Sequence, residues 1–448
     1  VTFPVVLFRK ACRYSAFRPG QITVAGPAQA RIDAKPAWKG AGSLTSRVAH
    51  LFYPLETIPM LHPAAAADRL GTESAFEVLA RAGELERQGK SIINLGIGQP
   101  DFATPDNIVE AAIKALRDGH HGYTPANGIP PLREAVAREL EKRAGAPLDP
   151  DRVLIVPGGK VTMFFAITLF GEPGAEIIYP NPGFPIYESL IHYSGATPVA
   201  LPLREENGFG FSADELLALI TPKTRLIIIN SPANPTGGVT SKTEMDKLAA
   251  GLENHPQVAV LSDEIYSRLL YGDAQHASLL AYPGLRERTV LLDGWSKTYA
   301  MTGWRLGYSY WPKEMIPRAT RLAINSHSCV NASAQWAGIE ALQGPQDAVA
   351  RMCQAFDARR KVVVAGLNAL PGVSCIEPKG AFYAFPNISA TGRPAKQLEL
   401  GLLEEAGVAT IAGSSFGKEG EGYLRLSYAN SLENIELALQ RMADFLSR

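Results

Sequence analysis

Between residues 150 and 310 the chain repeats one pattern: a short apolar run, a break at Gly, Pro, Asn or Asp, then a helical stretch. The runs are Val153–Val156, Glu176–Tyr179, Leu226–Asn230, Val258–Ser262, Thr289–Asp293 and Leu306–Tyr310. Runs this short and this apolar do not alternate polar and apolar faces, so they predict strands buried on both sides. Interleaved with helices, they predict an α/β fold whose mostly parallel sheet is flanked by helices. Upstream, 74–88, 106–118 and 132–143 have helical spacing. After residue 330 the pattern changes to a long helical tract reaching about Leu370. Short strands near Phe382–Phe385 and Tyr423–Ser427 and a closing helix, Leu432–Leu446, come after it. That tail predicts a smaller α+β domain.

These patterns divide the chain into a basic, irregular segment (1–59), an N-terminal arm with part of the small domain (60–105), a large domain (106–330) and a small C-terminal domain (331–448). Segment 1–59 holds eight Lys and Arg against Asp33 and Glu56, with no durable hydrophobic period. Its composition is that of a targeting presequence. The preferred reading is an upstream extension ahead of Met60 that carries no chemistry and is dispensable for activity. A cytoplasmic location is expected, with organelle import through this segment as the alternative. Lys plus Arg equals Asp plus Glu at 44 each, so no global basic field draws nucleic acid or an anionic membrane. No apolar run approaches the ~20 residues of a membrane span. Four scattered cysteines form no C-x-x-C pair, so neither a disulfide framework nor a metal site is expected.

In open parallel sheets, ligands bind outside the carboxyl ends of the strands. The residues just after each run are therefore informative. Val153–Val156 leads into Gly158-Gly159-Lys160 and a helix, a place where backbone N–H groups can meet an anion, or simply a turn. Leu226–Asn230 leads into Asn234-Pro235-Thr236-Gly237, readable as a Pro-rich turn. Val258–Ser262 delivers Asp263-Glu264-Ile265-Tyr266, where the acid alone reads equally well as a helix N-cap. Thr289–Asp293 precedes Ser296-Lys297, with Arg305 eight residues after the lysine.

Taken in order with Gly96-Ile97-Gly98-Gln99-Pro100-Asp101-Phe102, Tyr123-Thr124-Pro125-Ala126-Asn127-Gly128, Gly303-Trp304-Arg305-Leu306-Gly307-Tyr308 and Tyr423-Leu424-Arg425-Leu426-Ser427, these clusters resemble the class I/II aminotransferases. Those are aspartate-aminotransferase-like enzymes of pyridoxal-phosphate fold type I. The resemblance spans roughly residues 70–448. It implies that Lys297 holds pyridoxal 5'-phosphate as a Schiff base and, once displaced, moves the proton at Cα. It implies that Asp263 pairs with the ring nitrogen, and that Asn234 and Tyr266 hydrogen-bond the ring's phenolic oxygen. Gly158, Gly159, Lys160, Ser296 and Arg305 form the phosphate cradle, joined by Tyr123 from a neighbouring subunit of a homodimer with shared sites. Phe184 falls where an aromatic stacks on the ring. Arg425 clamps the substrate α-carboxylate, with Gly98, Phe184, Asn234 and Lys160 also facing the substrate.

The chain departs from the family pattern in places. Gly294 stands where a Ser or Thr is frequent, and Phe184 where Trp is frequent. No counterpart is visible for the second, cross-subunit arginine that reads a distal carboxylate in one branch. Lys160 occupies the position that does this in another branch, though it reads equally as a helix-start lysine facing solvent, and Val161-Thr162-Met163 departs from that branch's pattern. The resemblance implies transamination by a ping-pong cycle between an amino acid, with aspartate as first choice, and a 2-oxo acid such as 2-oxoglutarate. Alternatives are an alanine or aromatic preference, or a C–S lyase or aminocyclopropane-carboxylate-synthase-like reaction on the same core residues. A non-catalytic ligand sensor is a further reading, disfavoured because 1–70 shows no helix-turn-helix pattern.

Overall fold

The computed structural model describes residues 62–448, so the expectations for 1–59 lie outside the described residues. Its centre is a seven-stranded sheet. The strands are β1 (Val153–Val156), β2 (Glu176–Asn181), β3 (Thr197–Pro202), β4 (Thr224–Asn230), β5 (Ala259–Asp263), β6 (Thr289–Gly294) and β7 (Gly307–Tyr310). Their spatial order is β1-β7-β6-β5-β4-β2-β3. Only β7 runs against its neighbours, pairing antiparallel with β1 and β6. The carboxyl ends of the other six therefore point the same way and share one edge.

Burial on both faces explains the apolar runs. Leu226, Ile228, Leu261 and Val290 pack with Phe165 and Ala166 of helix Lys160–Phe170. Their neighbours Ile227, Ile229 and Val260 point the other way, onto Met245 and Leu248 of helix Lys242–Leu252. Each such side chain, fully withdrawn from water, contributes about 1.5–3 kcal/mol. β3 escapes the pattern because it is an edge strand, mostly exposed or half-buried and carrying two prolines.

The C-terminal tail forms a three-stranded antiparallel sheet from Ile411–Ala412, Leu424–Ser427 and Tyr383–Ala384. The helical tract divides into Ala332–Gln343 and Asp347–Asn368, and the closing helix spans Leu432–Leu446. Ile93–Asn94 pairs in parallel with Val408–Ala409, which ties the segment after helix Ser74–Arg87 to the C-terminal part. This pairing brings Gly96 and Gly98 beside Arg425 and Lys297: Gly96 O accepts from Arg425 Nη2, and Gly98 O accepts from Lys297 Nζ.

Candidate active site

A cavity of about 440 Å³ opens at the shared carboxyl edge. Gly159 and Lys160 after β1, Phe184 after β2, Asn230 and Asn234 at and after β4, Asp263 ending β5, and Ser296 and Lys297 after β6 all line it. Tyr266, Arg305, Gly98 and Arg425 complete the convergence of residues singled out from the sequence. Gly158 lies just behind, under Arg305. Tyr123 does not line the cavity and is 96% exposed.

Lys297 is the half-buried amine of the site. Burial, together with the Arg425 and Arg305 charges, pulls its pKa down to about 8, so much of it is neutral in mildly alkaline solution. Asp263 is its acidic counterpart. Burial pushes its pKa up to about 7, against the pull of a Tyr187 hydroxyl donating at 2.6 Å and the Ile265 N–H at 3.2 Å. No regular helix begins after Asp263, so the N-cap role is absent. Nearby, Tyr266 and Tyr383 share a hydroxyl–hydroxyl hydrogen bond of 2.9 Å.

Arg425 is buried, and its guanidinium lies between the rings of Tyr383 (4.8 Å) and Phe416 (4.7 Å). Nη1 donates to Asn234 Oδ1 at 3.1 Å, but Nε is buried with no partner. An orphaned charged donor in a dry site costs roughly 1–3 kcal/mol. On the far side, Arg305 adopts a left-handed backbone (φ 53°) and donates through Nη1 to Thr302 O at 2.8 Å. Gly158 has φ +92°, and a Cβ there would stand 2.2 Å from Arg305 Nη2. The bare α-carbon lets the guanidinium lie beside the start of helix Lys160–Phe170, where backbone N–H groups add to the positive potential.

The departure at Gly294 has a structural cause. Gly294 faces Gly307 across β6 and β7, and a Cβ on Gly294 would meet the Gly307 α-carbon at 2.9 Å. A Ser or Thr does not fit there. Lys160 is about half exposed and already has a partner. It lines the cavity, stands 5.4 Å from the centroid of the Phe184 ring, and is ion-paired with Glu73.

Several functional neighbours were not visible in the sequence. Tyr187 sits one helical turn beyond Phe184, a spacing that was readable, whereas Tyr383 and Glu73 come from distant segments. Behind Asp263, Glu264 is a buried anchor. Burial raises its carboxyl, but His276 (2.7 Å), Arg143 (3.2 Å) and Ser278 (2.7 Å) outweigh this and bring it to about 2. Arg143 also binds Asp293 at 2.7 Å, which joins the ends of β5 and β6.

A weakly basic amine, a buried carboxylate and a cluster of cations around one cavity suit an anionic aldehyde cofactor with a basic ring nitrogen, on an α/β scaffold. The comparisons agree. The pattern of the family described as aminotransferase class I and II matches residues 90–442. Aspartate aminotransferase from Geobacillus stearothermophilus is 38% identical over 383 residues, covering 84% of this chain and 97% of that protein. Aromatic-amino-acid aminotransferase 2 from Thermococcus litoralis is 38% identical over 385 residues, covering 85% and 98%. The crystal structure of an aspartate aminotransferase from Rhizobium meliloti has a TM-score of 0.83 at 34% identity, covering 87% of this chain and 99% of that one. The chain belongs to the class I and II aminotransferase family. It is a pyridoxal-phosphate-dependent enzyme that moves an α-amino group from an L-amino acid to a 2-oxo acid.

Among the described residues no helix is long and apolar enough to cross a membrane, and no group of three His, Cys, Asp or Glu is placed to hold a metal ion.

Proposed function

We propose that the enzyme uses aspartate as its preferred amino donor and 2-oxoglutarate as acceptor, with Lys297, Asp263 and Arg425 as the working groups. The observation that carries the assignment of the working groups is the convergence of Arg425, Lys297 and Asp263 on one cavity. Pyridoxal phosphate, when bound, supplies an aldehyde that takes up the amino group and a ring that withdraws electrons from Cα. Arg425 grips the α-carboxylate through two parallel donors and so fixes which Cα bond faces the ring. Lys297, in its neutral form, takes the proton from Cα and returns it on the other side of the transfer. Asp263 holds a proton on the ring nitrogen, and the Tyr187 hydroxyl keeps the carboxylate aimed. Asn234 and Tyr266 donate to the ring's phenolic oxygen, and Phe184 covers the ring face. Arg305, Ser296, Gly158, Gly159 and the Lys160 backbone hold the phosphate. The exposed Tyr123 fits a role on the phosphate of a second subunit, in a homodimer with shared sites.

Arg425→Lys separates substrate from cofactor. A point charge cannot reproduce the planar two-donor grip. The loss of one charged hydrogen bond, about 1.5–3 kcal/mol, lowers kcat/KM for amino acids by about one to two decades. Equilibrium affinity for pyridoxal phosphate stays within about twofold of wild type on the same reasoning. Weakened cofactor binding instead places Arg425 on the phosphate.

For aspartate, the support is the lysine that lines the cavity beside Phe184 and the name of the Geobacillus relative. A second reading, preference for aromatic donors, draws on Phe184 and the 59%-exposed Phe76 at the cavity wall and on the name of the Thermococcus relative. A donor panel at fixed 2-oxoglutarate decides. Aspartate leads, and Lys160→Ala removes about one to two decades of its advantage over alanine and phenylalanine. If phenylalanine leads and Lys160→Ala leaves the order unchanged, the aromatic reading holds.

A further inference from the structure

Glu73 is the N-cap residue of helix Ser74–Arg87, yet its side chain caps nothing. Short side chains dominate that position because their oxygen reaches back to the first free N–H groups. The longer glutamate turns into the cavity and pairs with Lys160, leaving its side chain 14% exposed against 46% for the lysine. Its backbone is anchored nearby: Gly71 N donates to Ser189 Oγ at 2.8 Å, and Arg69 donates to the carbonyls of His192 and Tyr193 at 2.8 and 2.9 Å. Burial lowers the pKa of both Lys297 and Arg425, and Glu73 lies close enough for its charge to oppose that lowering in small part. The one carboxylate at this wall of the cavity thus belongs to the protein, and it occupies the cation that an acidic side chain needs.

We propose that Glu73 is an internal counter-ion that stands in for the distal carboxylate of an acidic substrate, so that one cavity serves both acidic and uncharged amino acids. This rests on the transaminase reading, with Lys160 beside the substrate side chain. A ping-pong enzyme must accept two different side chains in turn at a single site. With an uncharged substrate, the half-exposed Lys160 keeps Glu73 as its partner. With a dicarboxylate, two anions compete for one ammonium, and Glu73 gives way toward solvent at the cavity mouth. Discrimination is a difference of affinities. The advantage of an acidic ligand is its own bond to Lys160 less the bond that Glu73 gives up.

The test compares equilibrium binding of maleate and 3-phenylpropionate to the holoenzyme. The proteins are wild type, Glu73→Gln, Lys160→Met and the double variant, with Glu73→Asp as a charge-preserving control. Glu73→Gln raises the maleate-to-phenylpropionate affinity ratio about tenfold, the Asp variant raises it less, and the Gln change has no effect once Lys160 is Met. An unchanged or lowered ratio in Glu73→Gln, or an equal rise in the Lys160→Met background, overturns the proposal. Failure of the transaminase reading shows separately, as wild-type holoenzyme that exchanges no amine between any amino acid and 2-oxo acid. The binding ratios still report on Glu73 in that event.

Discussion

Lys297→Ala abolishes covalent cofactor attachment and lowers transamination by at least about four decades. The estimate is the upper range for removing a positioned proton-transfer group, to which loss of the anchor adds. The effect is large because no other amine can take over. Lys160, the other lysine lining the cavity, is committed to Glu73. Borohydride reduction and then peptide mapping check the attachment: wild type retains the cofactor on Lys297, and the variant retains none. The pKa of about 8 adds a signature. Only the neutral amine attacks the aldehyde, and its fraction rises from about one-tenth at pH 7 to about nine-tenths at pH 9. Cofactor capture by cofactor-free protein therefore accelerates about tenfold over that interval and then levels. A lysine with an ordinary pKa would still be accelerating at pH 9.

Asp263→Asn lowers kcat by about two to three decades, comparable to removal of a preorganised charge-stabilising group, and Asp263→Glu is much milder. In the cofactor-free site, burial holds the carboxyl near 7. A protonated ring nitrogen beside it would favour the anion, so ionisation of Asp263 and ring protonation reinforce each other. Asparagine keeps the shape and the Tyr187 contact but cannot carry the charge. The bound cofactor's absorbance checks this, because Asn shifts ring protonation into the accessible pH range and Glu does not. Equal activity in the two variants would show that ring protonation is set elsewhere.

The parts of the fold legible in the sequence are those where local pattern and burial coincide. β1, β5 and β6 are buried along their whole length, and their apolar runs stand out. β3, half exposed at the sheet edge, does not. Asp263 and Lys297 were legible for a related reason: they end or follow strands at the shared carboxyl edge, so order along the chain maps onto position around the cavity, whereas Arg425 lies inside strand Leu424–Ser427 of the small sheet. Their roles came from the family resemblance, since Asp263 alone read equally well as a helix cap. The hidden features depend on long-range pairing. Glu73 meets Lys160 across 87 positions, and Tyr383 meets Tyr266 across 117. No local period encodes such contacts. Gly294 looked like a lost hydroxyl until its pairing with Gly307 showed that no side chain fits.

Transamination differs from elimination or mere ligand sensing in one observable, the return of the cofactor. Adding excess aspartate alone to the holoenzyme converts the aldehyde absorbance to the amine form once, with one equivalent of 2-oxo acid released. The aldehyde signal returns only when 2-oxoglutarate is added. Continuous release of 2-oxo acid and ammonia from an amino acid without acceptor, or no spectral change with any amino acid, would contradict the account.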